Sequence, residues 1–148
     1  MMIRALLVLG CAVAAVAVNK TVIATKDAPA AIGPYSQGIL ITLASGERIM
    51  HGAGQIGIDP STGKLAPGGI KIEGKQAMEN VKAIMRAAGA IMADITECTC
   101  LLADLSEYSD FNGVYATYFD DAPPARAAVQ VSALPLGARV EVKCAAAF

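Results

Sequence analysis

The stretch KIEGKQAMENVKAIMRAAG, Lys71 to Gly89, decides the fold. Ala77, Met78, Val81, Ile84, Met85 and Ala88 recur at helical spacing and form one apolar face. Glu73, Lys75, Glu79, Lys82 and Arg86 occupy the other. Gly89 stands where a helix C-terminus favours a residue without a Cβ. The pattern predicts a helix from Lys71 to Ala88 that buries one face against a partner layer.

Downstream, Ile95 to Leu102 reads as a strand with Cys98, Cys100 and Leu102 on one side. A second helix is predicted from Glu107 to Phe119, with Ser106 as its N-cap. Its stripe of Tyr108, Phe111, Tyr115, Tyr118 and Phe119 reads as core rather than as an aromatic binding surface. Pro123 and Pro124 stop it. Ala125 to Val131 and Arg139 to Ala147 are the last strands, joined by a turn at Leu134 to Gly137.

Upstream, the strand candidates are Thr21 to Ala24, Tyr35 to Leu43 and Arg48 to Ile58, separated by the proline-rich loop Ala28 to Pro34 and a turn at Ser45 to Glu47. Asp59 to Gly63 is a further turn. The order is β-β-β-α-β-α-β-β. Two helices with about six strands predict an α/β fold of the α+β two-layer sandwich type, with both helices on one face of a mixed sheet. The opposite face is left bare, and another subunit is the simplest cover for it.

Hydrophobic residues make up 55% of the 148-residue chain and charged residues 17%. That apolar excess also favours an oligomer. The net charge is -1, and Lys and Arg are scattered singly, so no nucleic-acid footprint is expected. Of the four cysteines, Cys11 lies in an apolar leader. Cys98, Cys100 and Cys144 are odd in number and loosely spaced, so they read as small buried thiols rather than a disulfide framework or a zinc set. His51 is the only histidine, and no metal site is expected.

Residues 1–18 read as a targeting segment, with Arg4 followed by the uncharged run Ala5 to Val18 and a small-residue pattern at Ala15-Val16-Ala17. The run falls short of the roughly 20 residues a membrane span takes. The remaining residues, 19–148, show no repeat or linker and read as one domain. A cleaved leader implies a secretory route or an organelle. Without one, the cytosol or mitochondrion is expected.

Gly52-Ala53-Gly54-Gln55-Ile56-Gly57 matches a dinucleotide-binding glycine pattern by letter, but a turn follows it instead of a helix. The glycines therefore mark a bulge or a close backbone approach. Arg126 leads from Pro123-Pro124-Ala125 into an apolar strand, where a guanidinium is costly unless paired. Either its planar fork takes a carboxylate ligand, or it pairs internally, for example with Glu141. Glu141 alternates with Val140 and Val142; one reading puts it in a cleft to handle a proton, the other pairs it with Lys143 on an exposed face. Tyr35 follows a rigid turn and either presents its hydroxyl or packs.

Gly33-Pro34-Tyr35-Ser36-Gln37, Gly54-Gln55-Ile56, Asn80 to Ile84, Asn112 to Phe119, Pro124-Ala125-Arg126 and Val140-Glu141-Val142 together resemble the RidA/YjgF family. The resemblance runs from Thr21 to Phe148. It implies a chorismate-mutase-like fold, a homotrimer with clefts between subunits, and no cofactor. It implies hydrolysis of 2-imino or enamine acids, such as 2-iminobutanoate and 2-iminopropanoate, to 2-keto acids and ammonia. By the same resemblance, Arg126 would hold the substrate carboxylate with help from the Gly54 N–H. Glu141 would activate water, and Tyr35, Asn112 and Ala128 would line the cleft. The chain departs from many relatives at Ala128, where they carry Cys, at Ala53, where they carry Ser, and at Lys143, where they carry an acid. Two other functions stand beside the deaminase: a non-catalytic trimer that binds small carboxylates or proteins, and an RNA-cleaving or translation-inhibiting protein.

Overall fold

The computed structural model describes residues 18–148. The leader read from the sequence lies outside these residues, apart from Val18. The main elements are β1 (Asn19–Ile23), β2 (Gly38–Thr42), β3 (Arg48–Gly52), α1 (Ile70–Ala87), β7 (Ile95–Leu102), α2 (Tyr108–Ala116), β8 (Ala125–Gln130) and β9 (Val140–Ala147). Between β3 and α1 lie three two-residue strands: β4 (Gln55–Ile56), β5 (Ile58–Asp59) and β6 (Lys64–Leu65). The main sheet runs β1-β2-β3-β9-β7-β8, with β4 also pairing β9. Only β7 and β8 run parallel; the other pairs of this sheet are antiparallel. The predicted order of helices and main strands, and the mixed sheet with two helices, match this architecture.

The alternation in β9 shows how the layers form. Val140, Val142, Cys144 and Ala146 are buried, whereas Glu141, Lys143, Ala145 and Ala147 are not. Cys98, Cys100 and Leu102 of β7 face the same core. Against them pack Ala77, Met78, Val81, Ile84 and Met85 of α1 and Phe111 and Tyr115 of α2. Period-two and period-3.6 patterns thus meet in one apolar layer.

The predicted strand Arg48 to Ile58 breaks at Ala53–Gly54 and again at Gly57. A Cβ on Gly57 would stand 2.6 Å from the Glu73 carbonyl oxygen, so α1 can approach only because Gly57 has none. Asn80, fully buried on α1, holds this segment. Its Nδ2 donates to the Ile56 and Ile58 carbonyls at 3.1 and 2.9 Å, and its Oδ1 accepts from Gln76. The predicted strand Tyr35 to Leu43 begins only at Gly38, because the Tyr35 N–H closes a tight turn on the Gly33 carbonyl. Buried Gln37 then ties the preceding loop. Its amide nitrogen donates to the Thr25, Ala28 and Pro29 carbonyls, and its oxygen accepts from the Thr25 N–H.

The second helix is shorter than predicted, and its entry is capped by Asp104 rather than Ser106. The Asp104 carboxylate accepts the Ser106 N–H at 2.8 Å, over a 3-10 turn that precedes α2. Arg139 lies just before β9 and turns to the helix side. Its backbone N–H donates to Glu73 at 2.9 Å and its guanidinium to Glu107 at 2.7 Å.

The cysteine reading needs correction. Cys98 and Cys144 face each other across β7 and β9, with Cα atoms 4.1 Å apart, and form a disulfide. Residues 46 apart in sequence meet through strand register, which spacing alone does not reveal. Cys100 remains a free, buried thiol, as expected.

Candidate active site

The residues singled out from the sequence fall into two clusters. The first surrounds Glu141. Pairing of Ile56 with Glu141 places β4 beside β9, and strand alternation turns the Glu141 side chain to the face without helices. A cleft of about 350 Å³ opens there, lined by Tyr35, Gly54, Glu141 and mostly apolar neighbours. A Cβ on Gly54 would overlap the Glu141 carboxylate, so the backbone can reach this carboxylate only at a glycine. Among the described residues Glu141 has no cation within salt-bridge distance, and its same-face neighbour Lys143 does not pair with it. Tyr35 is half-exposed, and its hydroxyl accepts the Ile32 N–H at 3.3 Å. The glycine pattern here serves close approach, as read from the sequence.

The second cluster surrounds Arg126. On β8, Arg126 pairs in register with Cys98 and Ala128 with Cys100, so both face the helix side. The Arg126 Nη2 donates to the Tyr108 hydroxyl at 2.6 Å and to the Asn112 Oδ1 at 2.8 Å. Its guanidinium lies 4.5 Å from the Tyr115 ring centre and 5.5 Å from that of Tyr108. All these partners are neutral, and among the described residues Arg126 forms no ion pair. The internal pairing of Arg126 with Glu141 is therefore absent. Ala128 shares a groove with Arg126, Tyr108 and Leu105.

Tyr108 and Tyr115 were missed by the sequence reading, which placed them in the core stripe. Tyr115 is indeed buried, but its hydroxyl has no hydrogen-bond partner, and burial pushes its pKa up to about 12. The signal that could have found them is their position, each one helical turn from Asn112 on the face presented to β8. Burial likewise pushes the Cys100 thiol up to about 11, against the opposing pull of Arg126, which favours its neutral form.

Glu141 and Arg126 thus lie on opposite faces of one sheet, with β7 between their strands. Tyr35 and Gly54 accompany Glu141; Asn112 and Ala128 accompany Arg126. Among the described residues no three His, Cys, Asp or Glu side chains gather as a metal would require.

A two-layer α+β domain with a carboxylate cleft on one sheet face and an arginine without a counter-ion on the other is the class these features define. The chain belongs to the endoribonuclease L-PSP family, that of the RidA/YjgF proteins, whose family model matches residues 25–148. It is 46% identical over 127 residues to the 2-iminobutanoate/2-iminopropanoate deaminase of Bos taurus, covering 86% of this chain and 89% of that one. Among solved structures, a putative endoribonuclease L-PSP from Entamoeba histolytica is 42% identical, with TM-score 0.79, over 88% of this chain and all of that one. E. coli TdcF with bound serine is 36% identical, with TM-score 0.78, over 86% of this chain and 98% of that one.

Proposed function

We propose that this chain hydrolyses reactive 2-imino and enamine acids, among them 2-iminobutanoate and 2-iminopropanoate, to 2-keto acids and ammonia. Relatives of that name at 45–46% identity support the reading. The observation that carries it is Arg126, a guanidinium oriented by two hydrogen bonds and two aromatic rings yet given no anion. Such a group is preorganised for a carboxylate. The serine bound by the E. coli relative carries one too.

In this reading Arg126 holds the substrate carboxylate, with the Gly54 N–H as a second donor. Glu141 accepts a proton from water as the oxygen bonds to the imine carbon and passes it to the nitrogen, giving a carbinolamine. The hydroxyl proton then moves by way of Glu141 to the nitrogen as the carbon–nitrogen bond breaks, leaving keto acid and ammonia. The imine carbon is already electrophilic, so positioning and general-base help suffice, and the balance calls for no cofactor. Tyr35, Asn112 and Ala128 shape the cleft.

One substrate can meet both Arg126 and Glu141 if they come from two copies of the chain. The opposite-face placement supports sites between subunits, and the family resemblance implies that the assembly is a homotrimer. Sedimentation or light scattering should give three times the chain mass. Residues 1–18 belong to this reading as a targeting segment, and the mature protein isolated from its own cells should begin near residue 19.

The test supplies purified protein with the imine made by a threonine dehydratase and follows keto-acid release. Acceleration over buffer that Arg126→Ala removes, with the assembly intact, is the expected result. Rates equal to buffer would leave the non-catalytic carboxylate-binding reading. RNA cleavage that survives Arg126→Ala would favour the nuclease reading.

A further inference from the structure

The chain holds three asparagines, and only one opens the Asn-x-Ser/Thr pattern that accepts an N-linked glycan: Asn19-Lys20-Thr21. Asn80 is followed by Val81-Lys82 and Asn112 by Gly113-Val114, so neither fits. Those two are also engaged inside the fold. Asn80 is fully buried against the Ile56 and Ile58 carbonyls, and Asn112 holds Arg126. Asn19, Lys20 and Thr21 are all exposed, at the start of β1.

Strand geometry says where a glycan on Asn19 would stand. β1 is an edge strand, and β2 is its only partner among the described residues. Asn19 and Thr21 share a face with Ile23, which is buried in the core. They therefore look to the helix side, where the helix layer no longer covers them. Lys20 and Val22 look to the helix-free side, the face left for another copy. β8, with Arg126, forms the opposite edge of the sheet, and neither Asn19 nor Thr21 lines the Glu141 cleft. A bulky sugar at Asn19 thus stays clear of both site clusters and of the bare sheet face. It would also shield a free strand edge, whose unpaired backbone groups invite pairing with other chains.

Two further features place the chain on a route where such sugars are added. The uncharged run Ala5 to Val18 ends right before Asn19, and a cut after Ala17 leaves Asn19 second in the mature chain. Cys98 and Cys144 are joined inside the core, a pairing that forms and persists in oxidising compartments. Leader, disulfide and acceptor pattern are separate features, and all three fit the secretory route.

We propose that Asn19 is an N-glycosylation site, with Thr21 completing the acceptor sequence. The inference rests on the reading of residues 1–18 as a targeting segment and goes beyond it. The donor is an oligosaccharide carried on a lipid diphosphate. The Asn19 amide nitrogen bonds to the anomeric carbon of the first sugar and gives up one proton. The carbon–oxygen bond to the diphosphate breaks, and the lipid diphosphate leaves.

The experiment isolates the full chain, and variants of it, from the protein's own cells and compares each before and after a peptide-N-glycosidase. The expected result is a slow gel band that the enzyme converts to a faster one. Peptide mass spectrometry should then find aspartate at position 19, the residue the enzyme leaves at an occupied asparagine. Asn19→Gln and Thr21→Ala should each abolish the slow band, whereas Thr21→Ser should keep it; these positions are exposed, so no change threatens folding. Keto-acid release should proceed at the same rate with and without the sugar. A slow band that survives Asn19→Gln would overturn the assignment to this residue. A mature chain that has lost residues 1–17 yet lacks Asn19, or carries it bare, would overturn the glycosylation and leave the targeting reading intact. A chain that keeps its leader would overturn the targeting reading, and this inference with it.

Discussion

The Glu141 cleft and the Arg126 clamp lie on the two faces of one sheet and are built in opposite ways. The cleft is made by leaving side chains out: Gly54 makes room for the carboxylate, and Gly57 lets α1 close in behind. The clamp is made by crowding side chains in, with Tyr108, Asn112 and Tyr115 all converging on one guanidinium. Under the proposed reaction, a carboxylate that exchanges protons needs space and water nearby. A cation that fixes a ligand's position then needs its rotamers frozen beforehand, and aromatic and amide partners do this without neutralising it.

The largest effect tests whether the two regions work on one substrate. Arg126→Ala and Glu141→Ala should each lower kcat/KM by about a hundredfold or more, on the scale of losing a charge-assisted anchor or a general base. Co-assembled, the two inactive variants should regain a measurable fraction of activity, because some sites then carry both intact halves. Failure to regain any would break the two-copy arrangement.

Next in size is Gly54→Ala, which pushes the Glu141 carboxylate aside. It should lower kcat about tenfold or more with little change in melting temperature, since even small misplacement of a catalytic group is costly. An equal change in KM alone would say that Gly54 serves binding only.

The disulfide lies behind the clamp rather than the cleft, with Cys98 in register with Arg126. Closing a loop of this length stabilises a fold by about 4 kcal/mol in the chain-entropy view. Cys98→Ser with Cys144→Ser should therefore lower the melting temperature by about 10 °C. Thiol counting on the unfolded, unreduced mature chain should find one free cysteine, Cys100, if the leader with Cys11 has gone.

The smallest effect belongs to Tyr115→Phe. It removes a buried hydroxyl that has no partner and keeps the ring beneath Arg126. Stability should stay level or rise by up to about 1 kcal/mol, measured by denaturant unfolding. A clear loss of activity instead would assign that hydroxyl to the substrate.

Much of the fold was readable along the chain. The strand Ile95–Leu102 was placed to the residue, and α1 to within one at each end, because long apolar periodicity outweighs local noise. The breaks at Ala53–Gly54 and Gly57 were not foreseen, since the glycines there answer to Glu141 and Glu73, one of them 87 positions away (141 − 54). Tyr108 and Tyr115 belong to the core stripe as read, but their contact with Arg126 was not foreseen, because an amphipathic stripe does not say which strand residue it will cover. The pairing of Cys98 with Cys144 escaped for the same reason.

Periodicity within an element needs only that element, so helices, strands and their apolar faces were decided locally, and the motifs carrying Arg126 and Glu141 could be recognised in one dimension. Which face of the sheet each of those residues occupies relative to the other, and what surrounds it, depended on strand order and register. Those are set by packing between segments far apart in the chain, where a shift of one residue would exchange every inward side chain for an outward one.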